Sequence, residues 1–379
     1  MTKAIYAFSG DPITFGHIDI IKRAAQVFDQ LVVAIGVNPD KNYLFSLEER
    51  TKLAQEALAG MPAVEVTSFT GLLVDFAYEI NADVIIKGVR NPTDFEYETN
   101  LFRMGDSQEL GIDSFILIAK PELAHVSSSA VKQIQAEQGF IEDYVPLNVK
   151  QALEAKINNQ YIIAVTGEIG SGKSYVSEQF AALGKEQGIE VHNIELDSLT
   201  HQIYQDLPQP KYKQIRNTIA DTFGSQVQNP DGSINRKKLG EIVFNDYQQL
   251  QQLNQILHKP HLVRIKRELY GKQGLIILTA ALIVEANMAS LANNHVCLVT
   301  ADKETQKQRL KQRKLTEDQI QRRLNSQYTF QEKKKKLSDS IQQAGFGQIW
   351  QVDNSGQGNR EAIKNTFNDI LSRFELKAD

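Results

Sequence analysis

The segment formed by residues 167–174 constrains the fold of this chain more than any other. It reads Gly-Glu-Ile-Gly-Ser-Gly-Lys-Ser, and it follows an apolar, β-branched run at 161–165. Glycines allow such a loop to wrap closely, so that several backbone N–H groups point at one phosphate. The positive end of a following helix adds to the attraction. The motif therefore predicts a strand, a phosphate-binding loop and a helix in that order.

Strand-like and helix-like segments alternate along the whole chain, and the series starts twice. The predicted strands of the first series are residues 4–8, 31–37, 64–69, 84–87 and 115–118. The predicted strands of the second series are residues 161–165, 191–196, 274–279 and 295–300. Such alternation is typical of parallel sheets covered by helices. We therefore predict an α/β protein with two successive parallel-sheet domains at 1–155 and 161–379, joined by a linker at 156–160.

Composition excludes several other classes of protein. With 379 residues, of which 41% are hydrophobic, the chain is long enough for two ordinary globular domains. The net charge of −4 means that the chain as a whole has no excess of basic residues of the kind that favours binding to nucleic acid. The single cysteine, Cys297, excludes a disulfide within the chain and a cysteine-rich zinc site. The N-terminus lacks the pattern of a signal peptide, and the most apolar run, 275–286, is too short to span a membrane, so we expect a cytoplasmic protein.

The surroundings of the glycine-rich loop provide groups suited to phosphoryl transfer. Lys173 would neutralise the β- and γ-phosphates of ATP, and Ser174 would offer a hydroxyl to Mg²⁺. Asp197 follows the strand predicted beside this loop, where its carboxylate is placed to accept a proton from an acceptor hydroxyl; a helix N-cap is the alternative. Four arginines form a further cluster, at Arg309, Arg313, Arg322 and Arg323. They would neutralise charge on the transferred group, or form surface ion pairs.

The second half, from about residue 161 to 373, resembles dephospho-coenzyme A kinases. The matching pieces are VTGEIGSGKS, IELD, DGSINRKKLGEIVF, ILHKPH, LIVE and VDNSG. The resemblance implies a P-loop kinase that phosphorylates the ribose 3′-hydroxyl of dephospho-CoA with MgATP, with Lys173 and Asp197 as catalytic residues and Asp197 beside the substrate. The residues it implies for ATP are Gly170, Ser171, Gly172, Lys173, Ser174, Tyr175, Arg309, Arg313 and Asn354.

The first half carries a different set of phosphate-binding candidates. His17 is placed at the start of a helix after the first strand, where the helix end adds positive potential. Lys87 and Arg90 flank a glycine at the carboxyl end of a predicted strand, where ligands bind in open α/β sheets. Lys41 adds a cation after the second strand. The three serines at 127–129 either bind phosphate or cap a helix.

This half, from about residue 4 to 153, resembles phosphopantetheine adenylyltransferases, which have a Rossmann-like nucleotidyltransferase fold. The matching pieces are DPITFGHIDII, LFSLEER, KGVRNPTDFEYE and VSSSAVK. The resemblance implies that ATP and 4′-phosphopantetheine give dephospho-CoA and pyrophosphate, with His17, Lys41 and Arg90 as catalytic residues. It implies contacts with phosphopantetheine at Ser9, Lys41, Leu73 and Lys87. The residues it implies for ATP are Ser9, Gly10, His17, Gly88, Val89, Arg90, Glu98, Leu123, Ala124, His125, Val126, Ser127, Ser128 and Ser129.

Several positions depart from these family patterns. Glu168 replaces a glycine and adds a negative side chain to the phosphate loop, and Glu195 replaces an aspartate. Lys87 replaces an arginine, which keeps the charge but loses the bidentate fork. The first loop reads Phe-Ser-Gly-Asp-Pro at 8–12, so its glycine has moved, while Ser9 keeps a hydroxyl. For the first half we expect weaker substrate affinity rather than loss of the reaction.

Together the two halves predict a bifunctional enzyme for the last two steps of CoA synthesis. Its partners would be ATP, 4′-phosphopantetheine and dephospho-CoA, with Mg²⁺ accompanying ATP, and we expect a homo-oligomer formed through the first half. One alternative is that only one half is active; another is a nucleotide or CoA sensor without turnover. A nucleic-acid role would rest only on the basic run 333–336, which we interpret as a solvated helix face. We predict no membrane partner.

Overall fold

The structure is a computed structural model that describes residues 1–205, 207–243, 246–312, 327–356 and 359–377. The chain forms two compact units, Met1–Ile157 and Asn158–Asp379. The predicted linker at 156–160 falls on the end of one helix and the start of one strand, which are described below. Among the described residues, no helix has the length and apolar character that crossing a membrane requires.

The first unit is a parallel five-stranded sheet with the strand order β3-β2-β1-β4-β5. Its strands are β1 Lys3–Phe8, β2 Gln30–Ile35, β3 Val64–Ser68, β4 Val84–Val89 and β5 Asp113–Ile118. Its helices are α1 Phe15–Ala24, α2 Leu47–Leu58, α3 Leu73–Glu79, α4 Pro92–Asp106, α5 Ser128–Ala136 and α6 Leu147–Asn158. The central strands β1, β2 and β4 are almost wholly buried, as expected for a sheet covered on both faces. The strand order reverses between β1 and β4, which is the position where ligands usually bind in open α/β sheets.

The second unit is also a parallel five-stranded sheet, with the order β10-β9-β6-β8-β7. Its strands are β6 Gln160–Gly167, β7 Val191–Glu195, β8 Gly274–Thr279, β9 His295–Thr300 and β10 Gln348–Asp353. Its α-helices are α7 Lys173–Glu186, α8 Leu196–Gln205, α9 Pro210–Phe223, α10 Arg236–Val243, α11 Tyr247–Leu269, α12 Lys303–Gln312, α13 Phe330–Ala344 and α14 Arg360–Arg373. Short 3₁₀ helices cover Ser225–Val227 and Ala289–Ala292. These two sheets confirm the predicted fold class.

One topological expectation was wrong. The second strand of this unit, β7, does not lie beside the strand that carries the phosphate loop, because β8 pairs with both and separates them. β8 is apolar along its length and fully buried over Leu275–Leu278, so it gains most by occupying the interior of the sheet. Asp197 is consequently two strands away from the phosphate loop rather than one.

Candidate active sites

A cavity of about 690 Å³ opens at the carboxyl ends of the strands in the first sheet. It lies where the strand order reverses between β1 and β4, the usual ligand position in open α/β sheets. The predicted site residues that line it are Ser9, Gly10, His17, Lys41, Leu73, Lys87, Gly88, Arg90, Glu98, Leu123, Val126, Ser127, Ser128 and Ser129. Val89, Ala124 and His125 are not among its lining residues, and Val89 is buried in β4. Side chains from distant parts of the unit thus meet in one space.

His17 lies in the first turn of α1 and is held as a neutral ring. Its Nδ1 is 3.1 Å from the backbone N of Thr14, and its ring stacks on the ring of Phe8 with the two centroids 4.3 Å apart. Because a backbone N–H can only donate, Nδ1 accepts, and the proton of the neutral ring is placed on Nε2. Burial, with the nearby charges of Arg90 and Lys41, lowers the pKa of His17 to about 3. At neutral pH this residue is therefore a hydrogen-bond donor without a charge.

The cations of β4 and its following loop are paired with acids from α4. The Nζ of Lys87 lies 2.7 Å from Oε2 of Glu98. Arg90 and Asp94 form a two-pronged pair, with Nε–Oδ2 at 2.7 Å and Nη2–Oδ1 at 3.2 Å. The hydrogen bond and charge of Asp94 raise the pKa of Arg90 against the opposing effect of burial. One turn of α4 therefore supplies counter-charges to both cations of the motif.

Two residues that the sequence did not single out hold the loop after β1. The guanidinium of Arg50 is buried, donates to the backbone oxygens of Ser9 and Gly36, and lies 4.0 Å from the ring centroid of Tyr43. Asp11 accepts hydrogen bonds from the backbone N–H groups of residues 44 and 45. It also accepts one from Nζ of Lys132, at 2.5 Å.

A sequence signal for Arg50 did exist. Arg50 shares the buried face of α2 with Leu53, Ala54 and Leu58, so it is a cation at an apolar position of the helical pattern. A charged residue on such a face is seldom buried unless its polar atoms have partners. That pattern indicates a structural arginine inside the unit.

The three serines divide between structural and ligand-facing positions. The Oγ of Ser127 accepts from the backbone N–H of Ala130 at 3.2 Å and caps α5. The Oγ of Ser128 donates to the backbone oxygen of Pro12 at 2.8 Å. Ser129 is exposed and lines the cavity in the first turn of α5. The capping alternative therefore applies to Ser127, while the helix N-terminus still faces the cavity edge.

The phosphate loop of the second unit has the backbone shape that its glycines predict. Gly170 and Gly172 have left-handed φ values of 80° and 91°. A Cβ on Gly172 would lie only 2.1 Å from Nδ2 of Asn354, so this position has no room for a side chain. The Nζ of Lys173 donates to the backbone oxygens of Gly167 and Glu168 at 3.2 and 3.1 Å. Ser174 is half-buried in the first turn of α7, and Tyr175 is exposed.

Arg309 and Asn354 lie against the back of this loop. Nη1 of Arg309 donates to the backbone oxygen of Ser171 at 3.0 Å, and Nη2 donates to that of Asn354 at 2.8 Å. Nδ2 of the buried Asn354 also donates to the Ser171 oxygen, at 2.9 Å. The two residues therefore hold the loop backbone in place. Arg313 lies outside the described residues, as do Arg322 and Arg323.

Asp197 is exposed in the first turn of α8, directly after β7 ends at Glu195. Two histidines stand near it. His261 has its Nε2 3.0 Å from the backbone oxygen of Leu196. His201 follows one turn later on α8, and burial together with the charge of Arg236 lowers its pKa, while Asp197 acts in the opposite direction. The carboxylate is therefore accessible and surrounded by side chains that can contact a substrate.

The basic run 333–336 is not a uniformly solvated helix face. The side chain of Lys333 is buried, and its Nζ lies 2.5 and 2.7 Å from the two carboxylate oxygens of Glu285 and 2.8 Å from the backbone oxygen of Ala281. The other three lysines of the run are at least partly exposed. The interpretation of this run as a solvated face is therefore wrong for Lys333, because a carboxylate from the turn after β8 compensates its burial.

Comparison with known proteins divides the chain at the same place. The cytidylyltransferase-like family model matches residues 9–134, and the dephospho-CoA kinase family model matches residues 161–346. A region of 160 residues is 48% identical to a phosphopantetheine adenylyltransferase of Clostridium tetani, covering 42% of this chain and 100% of that protein. A region of 156 residues is 44% identical to a phosphopantetheine adenylyltransferase of Caldanaerobacter subterraneus, covering 41% of this chain and 98% of that protein. A solved structure, TT1252 from Thermus thermophilus, matches 57% of this chain and 98% of its own, with 22% identity and a TM-score of 0.44.

Proposed function

The chain belongs to the phosphopantetheine adenylyltransferase family through its N-terminal half, and on this premise we propose that it catalyses the last two steps of CoA biosynthesis. The first half transfers an adenylyl group from ATP to 4′-phosphopantetheine, and the second half phosphorylates the resulting dephospho-CoA. The observation that carries the proposal is that each compact unit has its own set of groups suited to phosphate. In the first unit these are Lys41, Lys87 and Arg90 at the cavity, and in the second unit they belong to the glycine-rich loop. The product of the first reaction is the substrate of the second.

In the first reaction a phosphate oxygen of phosphopantetheine attacks the α-phosphorus of ATP, and pyrophosphate leaves. The nucleophile is already ionised, so no protein base is needed, and catalysis depends on positioning and charge stabilisation. His17 donates from Nε2 to the α-phosphate, Lys41 and Lys87 hold the attacking phosphate, and Arg90 holds the phosphates of ATP. The backbone amides at the start of α5 add a further anion-binding element.

In the second reaction the ribose 3′-hydroxyl of dephospho-CoA attacks the γ-phosphorus of ATP, and ADP leaves. Asp197 accepts the hydroxyl proton, which fits its exposed position at the start of α8. Lys173 and the loop amides balance the charge of the β- and γ-phosphates. Arg309 and Asn354 support this role indirectly, because they hold the loop backbone from behind.

We also propose that Mg²⁺ accompanies ATP in both reactions. In the second unit the hydroxyl of Ser174, next to Lys173, is a hard oxygen donor of the type that Mg²⁺ accepts together with phosphate oxygens. Among the described residues no group of three or more His, Cys, Asp or Glu side chains is placed to hold a metal ion. The hydroxyl of Ser174 therefore suits a Mg²⁺ ion that is bound mainly by the phosphates of ATP. Such an ion reduces the negative charge on those phosphates.

The homo-oligomer that we propose would form through an apolar surface of the first unit. Helix α4 has no buried residue, and it exposes Phe95, Leu101 and Met104. The edge strand β5 exposes Phe115, Ile116 and Ile118, and the exposed fraction of Ile118 is 71%. Apolar surface of this kind, beside an unpaired strand edge, is typical of an interface between protein molecules.

Light scattering coupled to gel filtration measures the mass of the particle in solution and so tests the homo-oligomer. Ile118→Lys places a charge on this surface and should lower that mass.

A product assay tests both reactions in the intact chain. Phosphopantetheine, ATP and Mg²⁺ are supplied, and dephospho-CoA and CoA are separated and quantified by mass spectrometry. We expect CoA from wild type, dephospho-CoA alone from Lys173→Met, and no product from His17→Ala unless dephospho-CoA is supplied. Accumulation of dephospho-CoA in the wild type without any CoA would refute the kinase assignment. Turnover of dephospho-CoA without any turnover of phosphopantetheine would refute the adenylyltransferase assignment.

A further inference from the structure

Glu168, within the phosphate loop of the second unit, connects that loop to two helices. Its Oε2 accepts a hydrogen bond from Nε2 of Gln306 on α12, at 3.1 Å. Its Oε1 accepts from the backbone N–H of Phe330, the first residue of α13, at 3.2 Å. Gln306 is itself buried, and its Nε2 also donates to the backbone oxygen of Ala301 at 2.8 Å. One half-buried carboxylate therefore bridges two helices that are separate in sequence.

A second set of contacts holds the same helix start against the same loop. The backbone N–H of Ile169 donates to Oε1 of Gln327 at 3.1 Å. Glu285 accepts from the backbone N–H of Tyr328 at 2.8 Å and pairs with the buried Lys333. Breaking a buried pair leaves an uncompensated charge, which is costly, so α13 has a firm anchor on the turn after β8. Glu168 thus attaches the loop to an element that is itself fixed.

The attachment also affects the loop lysine. The Nζ of Lys173 donates to the backbone oxygens of Gly167 and Glu168. A displacement of residue 168 therefore displaces an acceptor of the group that neutralises the phosphates of ATP. Phosphoryl transfer depends on placing such groups before the reaction, since the protein supplies little covalent chemistry.

We propose that Glu168 is a positioning residue of the kinase site, acting through its bonds to Gln306 and Phe330 and not by contact with ATP. This inference rests on the kinase activity proposed above. It opposes the simple electrostatic expectation that a negative side chain in a phosphate loop only weakens the binding of ATP. The two views make opposite predictions for a neutral residue of the same shape.

Three single variants of the full chain, and one double variant that combines two of them, separate the two views. Glu178→Gln, which changes an exposed carboxylate on α7, is the matched control. Glu168→Gln removes the charge and keeps one oxygen as an acceptor, Glu168→Ala removes both acceptors, and Gln306→Ala removes one donor. KM for ATP and kcat are measured with dephospho-CoA as the acceptor. Hydrogen–deuterium exchange of the peptide covering residues 167–175 is measured without nucleotide. The fluorescence of Trp350, the single tryptophan of the chain and a buried residue of β10, reports correct folding of the second unit.

We expect Glu168→Ala to raise KM for ATP about tenfold, with Glu168→Gln between it and wild type. Adding Gln306→Ala to Glu168→Ala should change KM little further, because the two side chains act as one unit. The loop amides should exchange faster in Glu168→Ala and not in the control. Should Glu168→Ala fail to fold, Glu168→Gln and Gln306→Ala provide the same test.

Two results would overturn the proposal: a KM for ATP in Glu168→Gln below that of wild type, or exchange and kinetics in Glu168→Ala within twofold of wild type. If the loop amides exchange faster in Glu168→Ala than in wild type, but wild type does not phosphorylate dephospho-CoA, the proposed function is refuted instead. The exchange measurement does not depend on turnover, so the two failures are distinguishable.

Discussion

The Nζ of Lys87 lies 2.7 Å from a carboxylate oxygen of Glu98, so a cation of β4 and an acid of α4 form one ion pair at the wall of the cavity. The family resemblance gives these residues to different ligands, Lys87 to phosphopantetheine and Glu98 to ATP. A phosphate that binds Lys87 therefore competes with Glu98 for the same ammonium group. Binding of the two substrates is expected to be coupled through this pair.

Replacing Lys87 by arginine should strengthen the binding of phosphopantetheine. An arginine has enough donors to keep the bond to Glu98 and still present two N–H groups to a phosphate. We expect KM for phosphopantetheine to fall about threefold to tenfold, as measured by initial rates at saturating ATP. Lys120→Arg, at a surface pair with Asp19, is the control. An unchanged or higher KM in Lys87→Arg would show that the missing two-pronged guanidinium contact does not weaken the binding of phosphopantetheine.

The stability of the first unit should depend on pH through His17. Its pKa is about 3 in the folded protein, against an ordinary value of 6.5. Between these values the unfolded chain binds a proton that the folded chain does not, so stability is complete above pH 6.5 and is lost as the pH falls. The loss amounts to about 1.4 kcal/mol per pH unit. Denaturant unfolding of wild type and His17→Asn from pH 7.5 to 5 should show the steeper decline in wild type; parallel curves would contradict the assignment.

Loss of Arg50 should impair the first reaction without affecting the second. Arg50→Met leaves the backbone oxygens of Ser9 and Gly36 without their buried donor, at a cost of about 1–3 kcal/mol. Because Ser9 lines the cavity, we expect kcat/KM for adenylyl transfer to fall about tenfold. Lys52→Met, an exposed position of the same helix, is the control. Equal effects of the two variants on adenylyl transfer would remove the argument for Arg50.

Alanine at Gly172 should abolish the second reaction. The new Cβ would lie 2.1 Å from Nδ2 of Asn354, and the backbone has a φ of 91°. Gly232→Ala is the matched control, since Gly232 has a φ of 82° but open space around it. We expect the control to cost only about 1 kcal/mol in stability and to keep kinase turnover. Kinase rates in Gly172→Ala comparable with those of the control would show that the loop can rearrange.

Asparagine at Asp197 should stop phosphoryl transfer while ATP binding persists. The amide keeps the size of the side chain but cannot accept the hydroxyl proton, and loss of a general base costs about 10²–10⁴-fold in kcat. Glu195→Gln, an exposed acid two residues earlier, is the control. A large loss in Glu195→Gln with little change in Asp197→Asn would assign the base to Glu195. A wild type that binds ATP but does not phosphorylate dephospho-CoA would favour the alternative of a nucleotide or CoA sensor.

The sequence predicted the elements of the fold more fully than it predicted their neighbours. The glycine-rich motif and the β-branched runs predicted the fold class, which the two parallel sheets confirm, and the motifs predicted both families, which the comparisons confirm. The prediction that β7 lies next to β6, the strand that carries the phosphate loop, was wrong, because β8 lies between these two strands. Pairing in a parallel sheet joins strands that are far apart in sequence, so local patterns do not determine strand order.

The same difference between local sequence patterns and tertiary contacts applies to individual side chains. Motif residues such as His17 and Lys173 are recognisable because local geometry, a helix start or a glycine-rich loop, prepares them for phosphate. Arg50, the Lys87–Glu98 pair and the bond from Glu168 to Gln306 depend on tertiary structure; the last joins residues that are 138 positions apart. By itself, therefore, the sequence determined the two parallel-sheet units and the phosphate chemistry of each. Only the tertiary structure decided which charges are paired and which are buried, because burial and pairing depend on which distant segments pack together.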